Sequence, residues 1–459
     1  MGRTQRLRRR QASKSPTVDA HKQNSLQALY VQLHAQGWQN STQLSAHSYV
    51  QTGRGLCSKR RSFVAGDELI RLPVECLISI ATLEADQAFK GLFNKDLFDK
   101  DARISFQALI ACYLMHQKHL HDCSQSSHIG VYLDTLPRSY TTPYFCTIPE
   151  LQCLPESVLE RTVAQNRQIR DYYEILKTLV GSQYCEGCGQ RYCQEIWSLA
   201  EYRVAYFAVN TRSVYLHARL LKLQSSKSHF QPLLSGNRNL ALAPFLDLFN
   251  HSDAVQTTAE IQGQDYVVTL NGLPIPEVKP YDQLYISYGA LTNFKLLTEY
   301  GFWLKGNAHD YFEVSLLDIE HMIKLNKTLA TQTYHRNIFK FIREHNLCDQ
   351  MFVHLDDGCS HNLRVVLHLI FKQQAYFPNL LNQIAFGDVD QFDNVQPELA
   401  YLVAHKIREY QIFAGEFDKL PQLTESGAVA RSYLMECVRY LNEFEAAHCA
   451  SVSDFHNEE

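Results

Sequence analysis

The spacing of apolar positions divides the chain into two strand-rich stretches and two helical ones. From about residue 25 to 80 the apolar pieces are short. Glycine turns at Gly53/Gly55 and Gly66-Asp67 separate them, which predicts hairpins. From 82 to 230 the period lengthens. Phe106, Leu109, Ile110 and Tyr113 fall at i, i+3, i+4 and i+7, one face of a helix. "EYRVAYFAVNTRSVYL" (201–216) is a second helical run, with Arg203 and Arg212 set into it. Strands return over 240–305. "AEIQGQDYVVTL" predicts a hairpin turning near Gly263, and "YDQLYISYG" alternates at Leu284, Ile286 and Tyr288. "TNFKLLTEYGF" then offers a cap at Thr292 or Asn293, a helical turn, and a stop at Gly301. Beyond 306 three stripes predict a helical domain with its own core: Leu363/Val366/Leu367/Ile370, Leu399/Val403/Ile407 and Leu434/Cys437/Val438/Leu441.

With 459 residues, 45% hydrophobic and 20% charged, the chain is long enough to bury a large core. No apolar run is long enough to span a bilayer, and the N-terminus has no apolar signal core, so no membrane contact is expected. The thirteen cysteines are then expected as reduced thiols in the nucleus and cytoplasm. Net charge is −4, which gives no global field for nucleic acid. Residues 1–14 are the exception: Arg3, Arg6, Arg8, Arg9, Arg10 and Lys14 with no acid. Residues 1–24 read as a disordered basic tail, with an import signal, a nucleic-acid contact or a solvated terminus as its alternatives.

Several chemistries lack their motifs. There is no P-loop, G-x-G-x-x-G, G-x-S-x-G or H-E-x-x-H. Cys185, Cys188 and Cys193 form C-x2-C-x4-C with no nearby fourth cysteine, and the next histidine is His217. A structural zinc wants four ligands, so these read as loop-borne thiols. "HQKHLHDC" (His116, His119, His121, Cys123) reads as a surface tract, and no metal is expected. That leaves "LALAPFLDLFNHSD", an apolar run holding Asp247, Asn250 and His251. If Pro244 opens a helical turn, the three share one face, to cap a buried turn or to bind a ligand.

Taken together and in order, "TGRGL", "AGDELIRLP", "YLDTLPRSYTTPYF", "VNTRSVYL", "LAPFLDLFNHS" and "YISYG…LLTEYGF" resemble the SET-domain protein-lysine methyltransferases. The resemblance is to the branch typified by the Rubisco large-subunit methyltransferase. It covers residues 25–305, and beyond 306 rests on helical character alone. One departure is plain: the Cys-rich segment that often follows the last SET motif is missing, since the first cysteine after Tyr300 is Cys348.

The resemblance implies an α+β fold, with small sheets and a pseudoknot. A helical insert at about 82–235 would split it, and an all-α substrate-binding domain would follow over 306–459. It implies methyl transfer from S-adenosyl-L-methionine to a lysine of a protein, histone or non-histone, by a monomer. Asn250, His251 and Arg212 would hold the cofactor, Arg212 at its carboxylate. Arg54, Gly55 and Leu56 would line it, glycine letting backbone approach. Tyr288 would be the catalytic tyrosine. Tyr300 would line the lysine channel and limit the methyls added. Asp247 would belong either to the knot or to the lysine pocket. Histidine methylation, or an idle module that binds a peptide, are the alternatives.

Overall fold

The computed structural model describes residues 16–98, 103–216, 228–325, 336–372, 377–387 and 394–449, with side chains from residue 24 onward. The basic run 1–14 lies outside the described residues. The chain divides into two compact units: Met1–Tyr140 with Val163–Ala290, and Thr141–Thr162 with Leu291–Glu459.

The first unit begins with a helix, α1 (Pro16–Ala35), inside the segment expected to be a tail. Its sequence is mostly polar, but Ser25, Leu29 and Leu33 repeat every four residues and are all buried. Next comes the hairpin β1 (Leu44–Tyr49) and β2 (Gly53–Ser58), then β3 (Glu68–Pro73). Gly53 and Gly66 have φ of 68° and 97°, the left-handed region where glycine is free of Cβ strain. Helices α2 (Phe106–Asp122) and α3 (Leu199–Arg212) pack along each other and form the core of the insert. In α2 the predicted stripe is buried, and so are Ala108, Ala111, Cys112 and Leu114. The helix is therefore buried nearly all round over Ala108–Gln117 rather than along one stripe.

From α3 the chain enters β4 (Ser213–Tyr215), antiparallel to β5 (Leu240–Leu242). After it come β6 (Asn250–His251), the hairpin β7 (Gln256–Gln262) and β8 (Asp265–Gly272), and β9 (Tyr285–Ile286). The hairpin turns at Gly263 as the sequence predicts, and β8 also pairs with β3 to make a three-stranded antiparallel sheet. The short β9 runs parallel to β6, with Tyr285 opposite Asn250 and Ile286 opposite His251. These small sheets beside a helical insert form an α+β architecture. Leu56, Leu69, Leu72, Leu242, Leu248 and Val267 pack its centre with almost no exposure.

The second unit is mainly helical. Its long helices are α4 (His361–Phe371), α5 (Gln396–Asp418) and α6 (Glu425–His448). All three predicted stripes are buried in one core. The sequence pattern does not reveal its three-stranded antiparallel ribbon, β10 (Phe312–Glu313), β11 (Phe352–His354) and β12 (Gly358–Cys359). Polar clasps account for this unit's including 141–162 and starting at Leu291 rather than 306. Glu150, 1% exposed, accepts hydrogen bonds from the backbone N–H of Thr147 (2.7 Å) and of Thr424 (2.6 Å). Asn293 donates from its backbone and its side chain to Asp310, both at 2.8 Å, and accepts from Leu304 N–H. Among the described residues no helix is long and apolar enough to cross a membrane, and no two cysteines are bonded.

Candidate active site

The segment Leu240–Asp253 does not form the helical turn that would align its polar residues. Phe245, after Pro244, has φ 74°, and its ring packs on Trp38. A single 3₁₀ turn, Leu246–Leu248, follows, and Phe249 is already extended. Asp247, Asn250 and His251 consequently have three separate sets of partners, all within the first unit.

Asp247 reaches into an ion pair. Its Oδ2 accepts from Arg212 Nη1 at 3.1 Å and from Tyr132 Oη at 2.9 Å, and its carbonyl accepts from the same Nη1 at 2.9 Å. The carboxylate is 2% exposed and the Arg212 side chain 16%. Burial works against the charge of Arg212, but Asp247 overrides it and lifts the guanidinium above the ordinary arginine range. Burial first, and then the Asp247 charge, push the Tyr132 phenol well up, so it stays a donor. Tyr140 is buried beside the same pair, its phenol also raised chiefly by burial. Arg54 is near enough for its pKa to be lowered, first by burial and then by repulsion from Arg212. Its Nη2 donates to Thr135 O at 2.5 Å. Tyr132 and Thr135 come from the segment "YLDTLPRSY", and neither was singled out for a role from sequence.

Asn250 turns to the glycine loop. Its Nδ2 donates to Arg54 O at 3.0 Å, and a Cβ at Gly55 would sit 2.9 Å from that amide and 2.4 Å from Gln283 Nε2. Glycine at 55 thus permits the close approach of both amides, and Leu56 next to it is fully buried and bridges Leu284. His251 turns to the tyrosine. Tyr288 N–H donates to His251 Nδ1 at 3.1 Å, and the two rings stack at 5.0 Å and 20°. Tyr288 Oη donates to Phe249 O at 2.7 Å. A phenol that donates its one proton keeps lone pairs to accept another. Parallel pairing of β6 and β9 sets all of this in register.

Tyr300 belongs to the second unit. It ends the short helical segment Leu296–Tyr300, before Gly301 at φ 81°, and its half-buried ring stands edge-on to Phe302 at 6.2 Å. Gly301 O accepts from Thr141 Oγ1 at 2.7 Å, and any Cβ there would strike the backbone of Thr141 and Thr142. The first unit also has an apolar groove in its insert, lined by Met115, Leu133, Leu136, Trp197 and Val204, which contains none of these residues.

Known proteins resemble this chain in both sequence and fold. SET domain-containing protein 4 of mouse is 27% identical over 412 residues, covering 88% of this chain and 86% of that one. The human protein of that name is 26% identical over 90% of this chain and 87% of its own. Mouse actin-histidine N-methyltransferase is 25% identical over 199 residues, 42% of this chain and 30% of that one. No family model matches. Among solved structures, the SET domain of LSMT bound to lysine and AdoHcy superimposes with a TM-score of 0.59 at 16% identity, covering 92% of this chain and 90% of that one. Rubisco LSMT bound to AdoMet gives 0.58 at 15%, covering 94% and 93%. The chain carries the SET-domain fold of the Rubisco large-subunit methyltransferase, and its sequence resembles SET domain-containing protein 4 along most of its length.

Proposed function

We propose that the chain is a protein-lysine N-methyltransferase that uses S-adenosyl-L-methionine. The observation that carries this reading is the knot in the first unit. Asn250 grips the backbone of Arg54 beside Gly55, while His251 takes the N–H of Tyr288 and stacks on its ring. Resemblance in sequence and fold supports the same reading. The cofactor supplies a methyl on a sulfonium, which an amine displaces in line.

The residues present suit that group. Arg54 and Arg212 against Asp247 leave one net positive charge (two minus one) for the cofactor's carboxylate. Asn250 and His251 hold the loop geometry, and Gly55 and Leu56 line it. A lysine must lose its proton to attack, which costs about 4–5 kcal/mol at neutral pH from a pKa of ~10.4. Burial lowers that cost. The phenol oxygen of Tyr288, anchored on Phe249 O, is the acceptor that orients the amine. Histone tails and non-histone proteins are both candidate substrates.

Similarity over 199 residues to an actin-histidine N-methyltransferase supports a second reading, methyl transfer to histidine. One experiment addresses both. Labelled cofactor is incubated with nuclear and cytosolic extracts and the protein or its Tyr288→Phe variant, and the labelled residue is identified after acid hydrolysis. Methyl-lysine that disappears with Tyr288→Phe is expected. Methyl-histidine would replace the target, and labelling unchanged in the variant would sink the catalytic role of Tyr288.

A further inference from the structure

Two cysteine- and histidine-bearing tracts, each too short of ligands to be a metal site alone, meet in the first unit. His119 and Cys123 sit one turn apart at the C-terminal end of α2. Cys185 and Cys188 lie on the loop between the helix Glu156–Val180 and α3. Ligand atoms of His119, Cys123 and Cys185 lie within 4.8 Å of one another. Cys188 Sγ is 3.5 Å from His119 Nε2. We propose that His119, Cys123, Cys185 and Cys188 form a tetrahedral structural zinc site in the insert.

The 3.5 Å between Cys188 Sγ and His119 Nε2 matches the spacing around a bound ion, and the other ligand atoms, within 4.8 Å of His119 and of one another, need only close in around it. With Zn–S of about 2.3 Å and Zn–N of about 2.0–2.1 Å, tetrahedral ligand atoms stand roughly 3.5–3.8 Å apart. Three thiolates and one imidazole are a soft, closed set of the kind structural zinc takes. The loop is shaped for it as well. Cys185 N–H bonds Gln190 O, and Gly189 N–H bonds Cys185 O with Gly189 at φ 72°, which folds the chain into a tight knuckle. A Cβ at Gly187 would lie 2.5 Å from Gln125 Nε2, so glycine there lets the Gln125 side chain lie close against the knuckle.

The other members of both tracts are accounted for elsewhere. His116 is 1% exposed in the aromatic core with Phe89 and Tyr192. His121 pairs with Asp134 at 3.3 Å. Cys193, the third cysteine of C-x2-C-x4-C, donates to Lys177 O at 3.5 Å instead. Each tract alone is short of ligands, which is why the sequence predicts no metal. Zinc here ties the end of α2 to the loop before α3, so that metal binding and folding of the insert are linked.

The test is metal content by plasma mass spectrometry on the full chain, purified without a metal column from zinc-supplemented cells. Spectra of the cobalt-exchanged protein accompany it. About one zinc per chain is expected for the wild type and for Cys193→Ser, and less than a tenth of that for Cys185→Ser/Cys188→Ser. Cobalt should give thiolate charge-transfer bands and the intense visible bands of a tetrahedral ion. His119→Cys, which keeps four ligands, should retain the metal with a shifted cobalt spectrum, and so keeps the proposal testable if the double variant fails to fold. A wild type without zinc, a double variant that keeps it, or a wild type whose Cys185 and Cys188 are instead joined in a disulfide would overturn the site.

Discussion

Replacing Asp247 by asparagine tests whether the buried ion pair holds the first unit together. The change keeps the shape and removes one charge. At 3.1 Å from Arg212 Nη1, with an effective dielectric of ~20, the gross attraction is about 5 kcal/mol. Much of it is offset by desolvation, but breaking one side of a buried pair typically costs about 3–5 kcal/mol, because the other charge is left uncompensated. Here two cations would remain, since Arg54 already feels Arg212. The asparagine oxygen still accepts from Tyr132, so the expected loss is at the lower end, about 3 kcal/mol. Urea unfolding followed by tryptophan fluorescence reads it. In a Trp303→Phe background the remaining Trp38 and Trp197 both report the first unit. The double change Asp247→Asn/Arg212→Gln removes both charges and should recover about 1–2 kcal/mol of the summed single losses. A single-variant loss under about 1 kcal/mol, or strictly additive losses, would refute the role given to the pair.

Two further outcomes are expected. Gly55→Ala should weaken cofactor binding about fivefold by calorimetry, because the new Cβ displaces the Asn250 amide from Arg54 O, a bond worth about 1 kcal/mol; unchanged affinity would argue against the grip. Burial raises the Asp310 carboxyl to about 6, despite its hydrogen bonds from Asn293. Between the unfolded value near 3.8 and 6 the folded state holds the extra proton, so this group's contribution falls as pH rises through that window, by up to ~3 kcal/mol. The stability of wild type minus Asp310→Asn should therefore decline from pH 4 to pH 7, and a difference flat with pH would contradict the burial argument.

What the sequence discloses depends on the range over which each structural cause acts. The turns at Gly53, Gly66 and Gly263 are legible because each needs a positive φ, a property of one residue. The helical stripes of the second unit are legible because their period is set within two turns. Helix α1 is not, because only every fourth residue of a polar segment is buried. The helical turn at Asp247 fails because tertiary packing of Phe245 on Trp38 holds a backbone conformation that local propensity disfavours.

Partner choice acts over a longer range still. Asp247 is 115 positions from Tyr132, Arg54 is 81 from Thr135, and Cys188 is 69 from His119. No window reveals such pairs, but chemistry restricts them. A buried carboxylate in an apolar run demands a cation and a donor from somewhere, and the structure provides Arg212 and Tyr132. The same reasoning applies to the cysteines. Two thiols in a C-x2-C knuckle and a histidine one turn from a cysteine are each half of a four-ligand set. Neither half argues against a metal, since each leaves open which other segment the fold brings beside it. In this chain the packing of α2 beside the loop before α3 brings each half to the other.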